Sequence, residues 1–285
     1  MIVALLLAAA AGNAPDWKAV QQVFGFEGSA LPGGVQRFNM PRGDLHVTVG
    51  GVEVKPALAL GGWAAFAPVG KGSAMIMGDL VLTSDEVATV TNALMDGGVQ
   101  VTAIHNHLLG ESPQILYLHV GGHGDAVKMA QAVVKAVGLT KTPMPPAPAA
   151  KGDTDFGFDQ AAVDKAMGVK STVGGGCLHY NAPRAEKVSE DGMAAPPSFG
   201  MGTSINFQPT GGGKAAIAGD FALTAKEVEP VIDVLRKNGI VVTALHSHAL
   251  DDVPRLFYMH FWANDDAVKL ATGLGKALSK TNSKR

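Results

Sequence analysis

The spacing of apolar and polar residues predicts an ordered series of elements in the first part of the chain. Residues 72–82 form a mostly apolar run of strand type, and residues 83–98 follow with apolar side chains at helical spacing. Residues 99–107 and 113–120 are rich in β-branched and aromatic residues, which favours two more strands. A final helix is predicted from Asp125. The series is therefore β-α-β-β-α.

The same series recurs in the second part of the chain. Residues 78–107 align without a gap with residues 219–248, and the sequence DAVK occurs at 125–128 and again at 266–269. Self-similarity over such a length indicates a duplicated unit. We therefore predict an α+β fold, built by tandem duplication of a β-α-β-β-α unit, with largely antiparallel sheets and with the helices on one face.

Four segments are predicted along the chain. Residues 1–13 carry an apolar run followed by small residues, which resembles an export signal without its basic start; a buried N-terminal helix is the alternative. Residues 14–140 form the first repeat domain and residues 155–285 the second. The segment between them, 141–154, is rich in proline and lacks apolar periodicity, so we predict an extended linker.

Two repeated features are predicted to be structural. Threonine and glutamate stand three residues apart at the start of each central helix, which is the pattern of a capping box: Thr83 with Glu86, and Thr224 with Glu227. Arg42 and Arg184 each follow a proline in matched segments. They could bind a carboxylate or phosphate ligand, but we favour pairing with a protein carboxylate that holds the halves together.

Composition excludes several functional classes. The chain has 23 basic and 25 acidic residues, so it offers no electrostatic basis for binding nucleic acid. The apolar N-terminal run is too short for stable insertion in a membrane. Cys177 is the single cysteine, which excludes an intramolecular disulfide and a metal site built from several thiolates. We predict that Cys177 is a small buried hydrophobe rather than a nucleophile.

Histidines and one carboxylate recur together in both halves. Side chains alternate along a strand, so His105 and His107 project from one face and can both reach one ion. His119 lies on the next strand and joins them only in one pairing register, which the sequence leaves open. The predicted metal ligands are His105, His107, Glu111 and His119 in the first half and His246, His248, Asp252 and His260 in the second. The two sets could form separate sites or meet between the halves.

Neutral imidazoles combined with a carboxylate suit a divalent transition metal, with zinc favoured and manganese, iron and copper as alternatives. Such an ion can activate water for hydrolysis. The candidate catalytic residues are Glu111 and Asp252 as general bases and Tyr117 and Tyr258 as hydroxyl donors. Asp79 and Asp220 are further candidates, although a turn or strand-end role is the simpler interpretation. The histidines could also be surface residues or a hydrogen-bonded core pair.

The segments GDLVLTSDEV and VTAIHNHLLGESPQILYLHVGGHGDAVKMA, with their counterparts in the second half, resemble the LppY/LpqO family of exported bacterial proteins and lipoproteins. The resemblance covers both halves. It implies a periplasmic or secreted location and a duplicated domain, and it implies no established activity. The cysteine that anchors the lipoprotein members is missing after the apolar run, so the resemblance favours a soluble protein over a tethered one.

Three functions remain open at this stage. The leading hypothesis is an exported metal-binding protein, a metal-dependent enzyme of hydrolytic type that acts on a small molecule or a cell-envelope component. The alternative is a non-catalytic envelope module that binds a metal, a glycan or a peptide. The third is a purely structural duplicated domain with satisfied core histidines. The oligomeric state is not predicted.

Overall fold

The computed structural model describes residues 14–147 and 155–285. In the first half, four helices and ten strands lie within the described residues, in this order: α1 (Trp17–Phe24), β1 (Ser29–Leu31), β2 (Val35–Pro41), β3 (Val47–Val49), β4 (Val52–Val54), α2 (Pro56–Ala59), β5 (Gly61–Gly70), β6 (Ser73–Thr83), α3 (Val87–Asp96), β7 (Gln100–His105), β8 (Glu111–Ser112), β9 (Ile115–Gly121), β10 (His123–Asp125) and α4 (Ala126–Val137).

The second half repeats most of this order. Its described elements are α5 (Gln160–Met167), β11 (Thr172–Gly174), β12 (Cys177–Pro183), β13 (Val188–Glu190), β14 (Met193–Ala195), β15 (Gly202–Gly211), β16 (Lys214–Leu223), α6 (Ala225–Lys237), β17 (Val241–His246), β18 (Phe257–Asp266) and α7 (Ala267–Leu278). Each half therefore contains more than the predicted β-α-β-β-α series, because a helix and several strands precede it.

The long strands of each half form one antiparallel sheet. The order is β1-β2-β5-β6-β9-β7 in the first half, where β10 also pairs with β6, and β11-β12-β15-β16-β18-β17 in the second. Every neighbouring pair in these two sheets is antiparallel. The mixed, mostly antiparallel architecture predicted from the pattern is confirmed.

The two sheets pack face to face, and the helices cover their outer faces, except for the short α2, which packs against β15 and β16 of the other half. On β6, Ile76 and Leu80 belong to the core shared with α1, α3 and α4. Met77 instead packs in a core with Phe199 and Tyr258 of the second half. Because both faces of the sheet are buried, β6 carries apolar side chains at nearly every position instead of alternating with polar ones. The result is four layers, in which the predicted helices lie on one face of each sheet and the other half lies on the opposite face.

Each half is also held together by a buried arginine. Arg42 donates hydrogen bonds to Val81 O at 2.9 Å and to Glu86 Oε2 at 2.7 Å, and its equivalent Arg184 donates to Ala222 O at 2.9 Å and to Glu227 Oε2 at 2.7 Å. These partners lie in the same half as the arginine. The arginines are therefore structural, as expected, but they join strands to a helix within a half and do not join the halves.

The two predicted capping boxes have different outcomes. In the second half, Thr224 and Glu227 form the complete reciprocal pair at the start of α6. In the first half Thr83 N donates to Glu86 at 2.9 Å, but the Thr83 hydroxyl donates to Asp85. The capping box is therefore incomplete there, and α3 begins later, after a turn.

The predicted signal at residues 1–13 and the end of the linker, 148–154, lie outside the described residues. Within the part that the structure describes, no helix is long and apolar enough to cross a membrane. Cys177 is fully buried at the start of β12, as predicted. Burial raises the pKa of its thiol to about 12, which leaves it protonated and unreactive at neutral pH.

Candidate metal centre

Strand pairing brings the histidines of each half onto one face of its sheet. In the first half β7 pairs with β9 so that His105 lies opposite Tyr117, and Ala103 lies opposite His119. A β-bulge at Thr102 interrupts the ladder and sets this register. His107 follows directly after β7. The register that the sequence left open therefore places His119 beside His105, with 5.0 Å between their ring centroids.

The second half repeats this arrangement, and the two sets meet between the sheets. The ring centroids of His105 and His246 lie 3.4 Å apart, and two further pairs cross between the halves: His107 with His260 at 3.8 Å, and His119 with His248 at 3.9 Å. The six histidines predicted as two ligand sets thus form one cluster, and its members come equally from the two halves.

Two aspartates border the cluster from the middle of the central strands. Asp79 on β6 pairs in register with His119, and Asp220 on β16 pairs with His260. Asp79 Oδ2 lies 3.5 Å from His107 Nε2, and Asp220 Oδ2 lies 3.9 Å from His248 Nε2. Neither aspartate lies at a strand end, so the simpler interpretation from the sequence is wrong for both.

Three overlapping groups within the described residues have the geometry to hold a metal ion. In each group, one ligand atom from every member lies within 4.8 Å of the others. The groups are Asp79, His105, His107 and His119; His105, His246 and His260; and His119, His246 and His248. Two of the three groups combine residues from both halves, so the two sets meet between the halves, which is one of the two arrangements that the sequence left open.

Hydrogen bonds to backbone carbonyls determine which ring nitrogen keeps its lone pair in four histidines of the cluster. A carbonyl oxygen only accepts, so a ring nitrogen bonded to one must carry the proton. Four histidines make such a bond through Nδ1: His105 to Asn106 O at 3.0 Å, His119 to Gly78 O at 3.1 Å, His246 to Ser247 O at 3.1 Å and His260 to Gly219 O at 2.9 Å. In the neutral ring this leaves the Nε2 lone pair available, which is the usual arrangement of a metal-bound histidine.

Burial keeps the imidazoles neutral. Loss of solvent lowers the pKa of His105 to about 3 and that of His246 to about 4, and in His105 the proximity of His246 adds to the effect. The pKa values of His107, His119, His248 and His260 are lowered well below the usual value, again first by burial and then by the neighbouring histidines. At neutral pH the cluster therefore presents lone pairs, not positive charges.

The two carboxyl groups respond to burial in the opposite sense. Burial raises the pKa of Asp79 well above its usual value, with a further increase from Asp220 and a decrease from Arg37. Burial raises the pKa of Asp220 to about 7. A cation beside these groups would favour their ionised form, because an opposite charge lowers a carboxyl pKa.

Several polar atoms of the cluster have no hydrogen-bond partner among the described residues. They are Nε2 of His105, His107, His119 and His248, Nδ1 of His248, and Oδ1 of Asp79. Buried polar atoms in proteins are almost always satisfied, so a concentration of unsatisfied polar atoms in one place indicates a binding site for a cation or another polar ligand.

A threonine from each half holds the histidine loop of the other. Thr102 Oγ1 donates to the carbonyl oxygen of His248 at 2.6 Å, and Thr243 Oγ1 donates to the carbonyl oxygen of His107. Asn106 adds a bond from Nδ2 to Thr243 O at 3.1 Å. Both threonines occupy the bulges of β7 and β17, where the extra residue is free of the ladder. The position of each loop therefore depends on the other half.

The predicted carboxylate ligands lie elsewhere. Glu111 on β8 accepts a long bond from Ile115 N at 3.5 Å, and it belongs to none of the ligand groups found among the described residues. Asp252 accepts from Leu256 N at 2.7 Å and pairs with Arg255 at 2.9 Å. Both carboxylates satisfy backbone amides of the turn that leads into the next strand, so the structure does not bring them to the histidines.

The predicted catalytic tyrosines contact the cluster through their rings. Tyr117 stacks on His107 and Tyr258 stacks on His248, each with a centroid distance of 3.3 Å. Their hydroxyl groups are engaged elsewhere: Tyr117 donates to Ala59 O at 2.8 Å, and Tyr258 donates to Met201 Sδ at 3.4 Å. The rings therefore orient the imidazoles, and the hydroxyls are not directed to the ligand atoms.

Asp79 and Asp220 were ranked too low as site residues from the sequence, and Thr102 and Thr243 were not identified from it. The aspartates carried a usable signal, because each is a charged residue in the middle of an apolar strand and each recurs in the other half. Such a residue is rarely buried without a partner. The threonines gave no such signal, since a β-branched residue is ordinary in a strand.

Comparisons with known proteins bear on the family and not on the chemistry. A family described as Domain of Unknown Function (DUF1259) matches residues 18–138 and again residues 161–280. The two matches confirm a duplicated domain of unknown function. No curated protein matches the chain.

Two solved structures show weak similarity. The crystal structure of the trimeric bacterial microcompartment shell protein PduB is 12% identical, with a TM-score of 0.21, over 87% of this chain and 88% of that chain. EtuB from Clostridium kluyveri is 10% identical, with a TM-score of 0.20, over 88% of this chain and 90% of that chain. At these TM-scores neither likeness bears on the fold or the function of this chain.

Proposed function

This chain belongs to the family described as Domain of Unknown Function (DUF1259), and because that description assigns no activity, we propose a function from the site itself: the protein binds divalent transition metal through the histidine cluster between its two sheets. One observation carries the proposal. His246 Nε2 and His260 Nε2 lie 2.9 Å apart, and both rings donate Nδ1–H to a backbone carbonyl.

Two facing lone pairs at this distance repel each other unless something positive lies between them. A shared proton is disfavoured, because burial lowers the pKa of both rings. A metal ion fits the distance. Bonds of about 2.0–2.1 Å between zinc and an imidazole nitrogen separate two adjacent ligand nitrogens by about 2.9 to 3.4 Å, for angles between a right angle and the tetrahedral value.

The donor set supports zinc first, with manganese, iron and copper as alternatives. Imidazole nitrogen and carboxylate oxygen suit these ions, whereas a site for a softer metal would include thiolate. The single thiol, Cys177, lies in the core with Val81, Ala216 and other apolar residues and belongs to no ligand group among the described residues.

Metal binding is better supported than hydrolysis. Glu111 and Asp252, predicted as general bases, bind turn amides instead, and the tyrosine hydroxyls are directed away from the ligand atoms. A metal-dependent hydrolase is the second candidate on one observation. Asp79 Oδ1 lies next to the histidines and has no hydrogen-bond donor among the described residues, and a carboxylate so placed can act as a general base. Loss of esterase or phosphatase activity in Asp79→Asn with metal retained would favour this candidate.

Location and ligand are part of the same proposal. The apolar run at residues 1–13 and the resemblance to exported proteins support a periplasmic or secreted protein, and a small molecule or envelope component as the partner. Fractionation of cells that express the untagged chain tests the location, since the proposal expects the protein outside the cytoplasm.

The test of metal binding uses untagged protein. The full chain is incubated with zinc, freed of excess metal by gel filtration and analysed by mass spectrometry for bound metal. We expect at least one equivalent in the wild type and a lower metal content in the double variant His105→Ala/His246→Ala, which removes the central pair. The matched control is His46→Ala/His123→Ala, since these side chains are 86% and 56% exposed and lie outside the described cluster. Absence of bound metal in the wild type would refute the proposal.

A further inference from the structure

We infer that the cluster holds two metal ions, the first on Asp79, His107 and His119 and the second on His105, His246 and His260. The inference rests on the proposed metal-binding function and adds to it the number of ions and the ligands of each. It also assigns the second ion to residues from both halves, so that this site exists only in the duplicated chain.

A single ion cannot use all the histidines in this geometry. In an octahedral site with bonds of about 2.1 Å, opposite ligand nitrogens lie about 4.2 Å apart, and all others are closer. The six imidazoles do not meet this condition, because among the described residues no group of ligand atoms within 4.8 Å contains more than three histidines. One ion would leave at least three buried imidazoles without a partner, at a cost for each unsatisfied group.

The observed groups divide into two sets that share no residue. Asp79, His107 and His119 belong to one group, in which His107 Nε2 lies 3.5 Å from Asp79 Oδ2 and His119 Nε2 lies 4.0 Å from Asp79 Oδ1. His105, His246 and His260 form a second group, which contains the nitrogen pair at 2.9 Å. Each set supplies three ligands to its ion, and this is the number that catalytic zinc sites use.

The two sets also account for most of the unsatisfied atoms. Asp79 Oδ1 and the Nε2 atoms of His105, His107 and His119 have no hydrogen-bond partner among the described residues, and all four become ligands. His248 remains, beside Asp220 at 3.9 Å. Two ligands are too few for a third ion unless it takes a histidine from the others.

Another division of the same groups is geometrically possible and gives different predictions. His119, His246 and His248 also form a group, which would leave Asp79, His105 and His107 for the other ion. The pair at 2.9 Å favours the first division, because the second leaves His260 Nε2 facing His246 without a shared ion. His248 and His260 therefore discriminate between them: each belongs to only one group that crosses between the halves.

The experiment counts ions in the full, untagged chain. Metal-free protein is titrated with Co²⁺, and the visible absorption of the bound ion is followed to its end point. In parallel, protein loaded with zinc is freed of excess metal and analysed for its content. The variants are His107→Gln, His260→Gln, the double variant of both, and His248→Gln, which discriminates between the two divisions. His123→Gln, at an exposed imidazole outside the described cluster, is the control.

We expect two equivalents in the wild type and in His248→Gln, one in each of His107→Gln and His260→Gln, and none in the double variant. One equivalent in the wild type would overturn the inference and leave the proposed function intact, whereas no bound metal would overturn both. Loss of an ion in His248→Gln with two retained in His260→Gln would overturn the ligand assignment. If circular dichroism shows that a variant is unfolded, the end point of the wild-type titration still decides the number of ions.

Discussion

The bond from Thr243 to the loop of His107 provides a quantitative test of how the halves support the site. Thr243 is 8% exposed, and its hydroxyl donates to the carbonyl oxygen of His107. In Thr243→Val the shape of the side chain is retained and the donor is lost, which leaves a buried carbonyl without that partner. A buried group left unsatisfied costs about 1–3 kcal/mol, so we expect the free energy of unfolding to fall by about that amount.

The same change should weaken metal binding, because His107 loses a contact that fixes its loop. Loss of an outer contact of a ligand typically reduces metal affinity about 10–100-fold. Urea unfolding of the metal-free protein measures the first effect, and competition with a zinc chelator measures the second. Thr48→Val is the control, since its hydroxyl bonds the Ser112 carbonyl at an exposed site, 3.5 Å away. If Thr243→Val and Thr48→Val behave alike in both assays, the bond between the halves does not position the histidine loop.

Two further predictions concern the metal-free protein. Arg184→Met should lower the free energy of unfolding by about 3–5 kcal/mol, because it leaves the buried Glu227 carboxylate without its cation. The control Arg236→Met, at an exposed ion pair, should change the free energy of unfolding by less than about 1 kcal/mol. Urea unfolding measures both values, and equal losses in the two variants would refute the reasoning. Stability should also fall in acid. Burial lowers the pKa values of all six histidines of the cluster in the folded state, to about 3 for His105 and about 4 for His246, whereas it raises those of Asp79 and Asp220. Because the six histidines outweigh the two carboxyl groups, the unfolded chain binds more protons than the folded chain below about pH 6.5, and stability is lost progressively as the pH falls from there. Urea midpoints measured between pH 7 and 5 check this trend, and a midpoint that rises as the pH falls would contradict it.

The apolar pattern predicted much of the fold because that information is local. Ile76 and Leu80 stand in an apolar run typical of a strand buried on both faces, and the capping pair of Thr224 and Glu227 lies within one helical turn. The incomplete cap at Thr83 shows the limit of such patterns, since the neighbouring Asp85 takes the hydroxyl bond. Repetition added the rest: two copies of a pattern predicted a duplicated domain, and the family match confirmed it.

The candidate site was only partly predictable, because residues that are far apart in the sequence come together in it. His105 and His119 could be named as ligands from their types and spacing, but the sequence ranked Glu111 above Asp79, because Glu111 is close in sequence and Asp79 is close only through strand pairing. A short spacing limits how far two side chains can separate, and it does not decide which way a turn residue points. Glu111 accepts a hydrogen bond from a backbone amide of its turn, whereas Asp79 Oδ1 has no hydrogen-bond partner among the described residues.

The sequence by itself determined which residues are repeated, which segments form strands and helices, and which imidazoles share a face of their strand. Only the tertiary structure decided that the two histidine sets form one cluster, with His105 stacked on His246. The physical reason is that side-chain alternation specifies the buried face of a strand but not what covers that face. Here the covering layer is the other half of the same chain, and contacts between residues more than a hundred positions apart bring the ligands together.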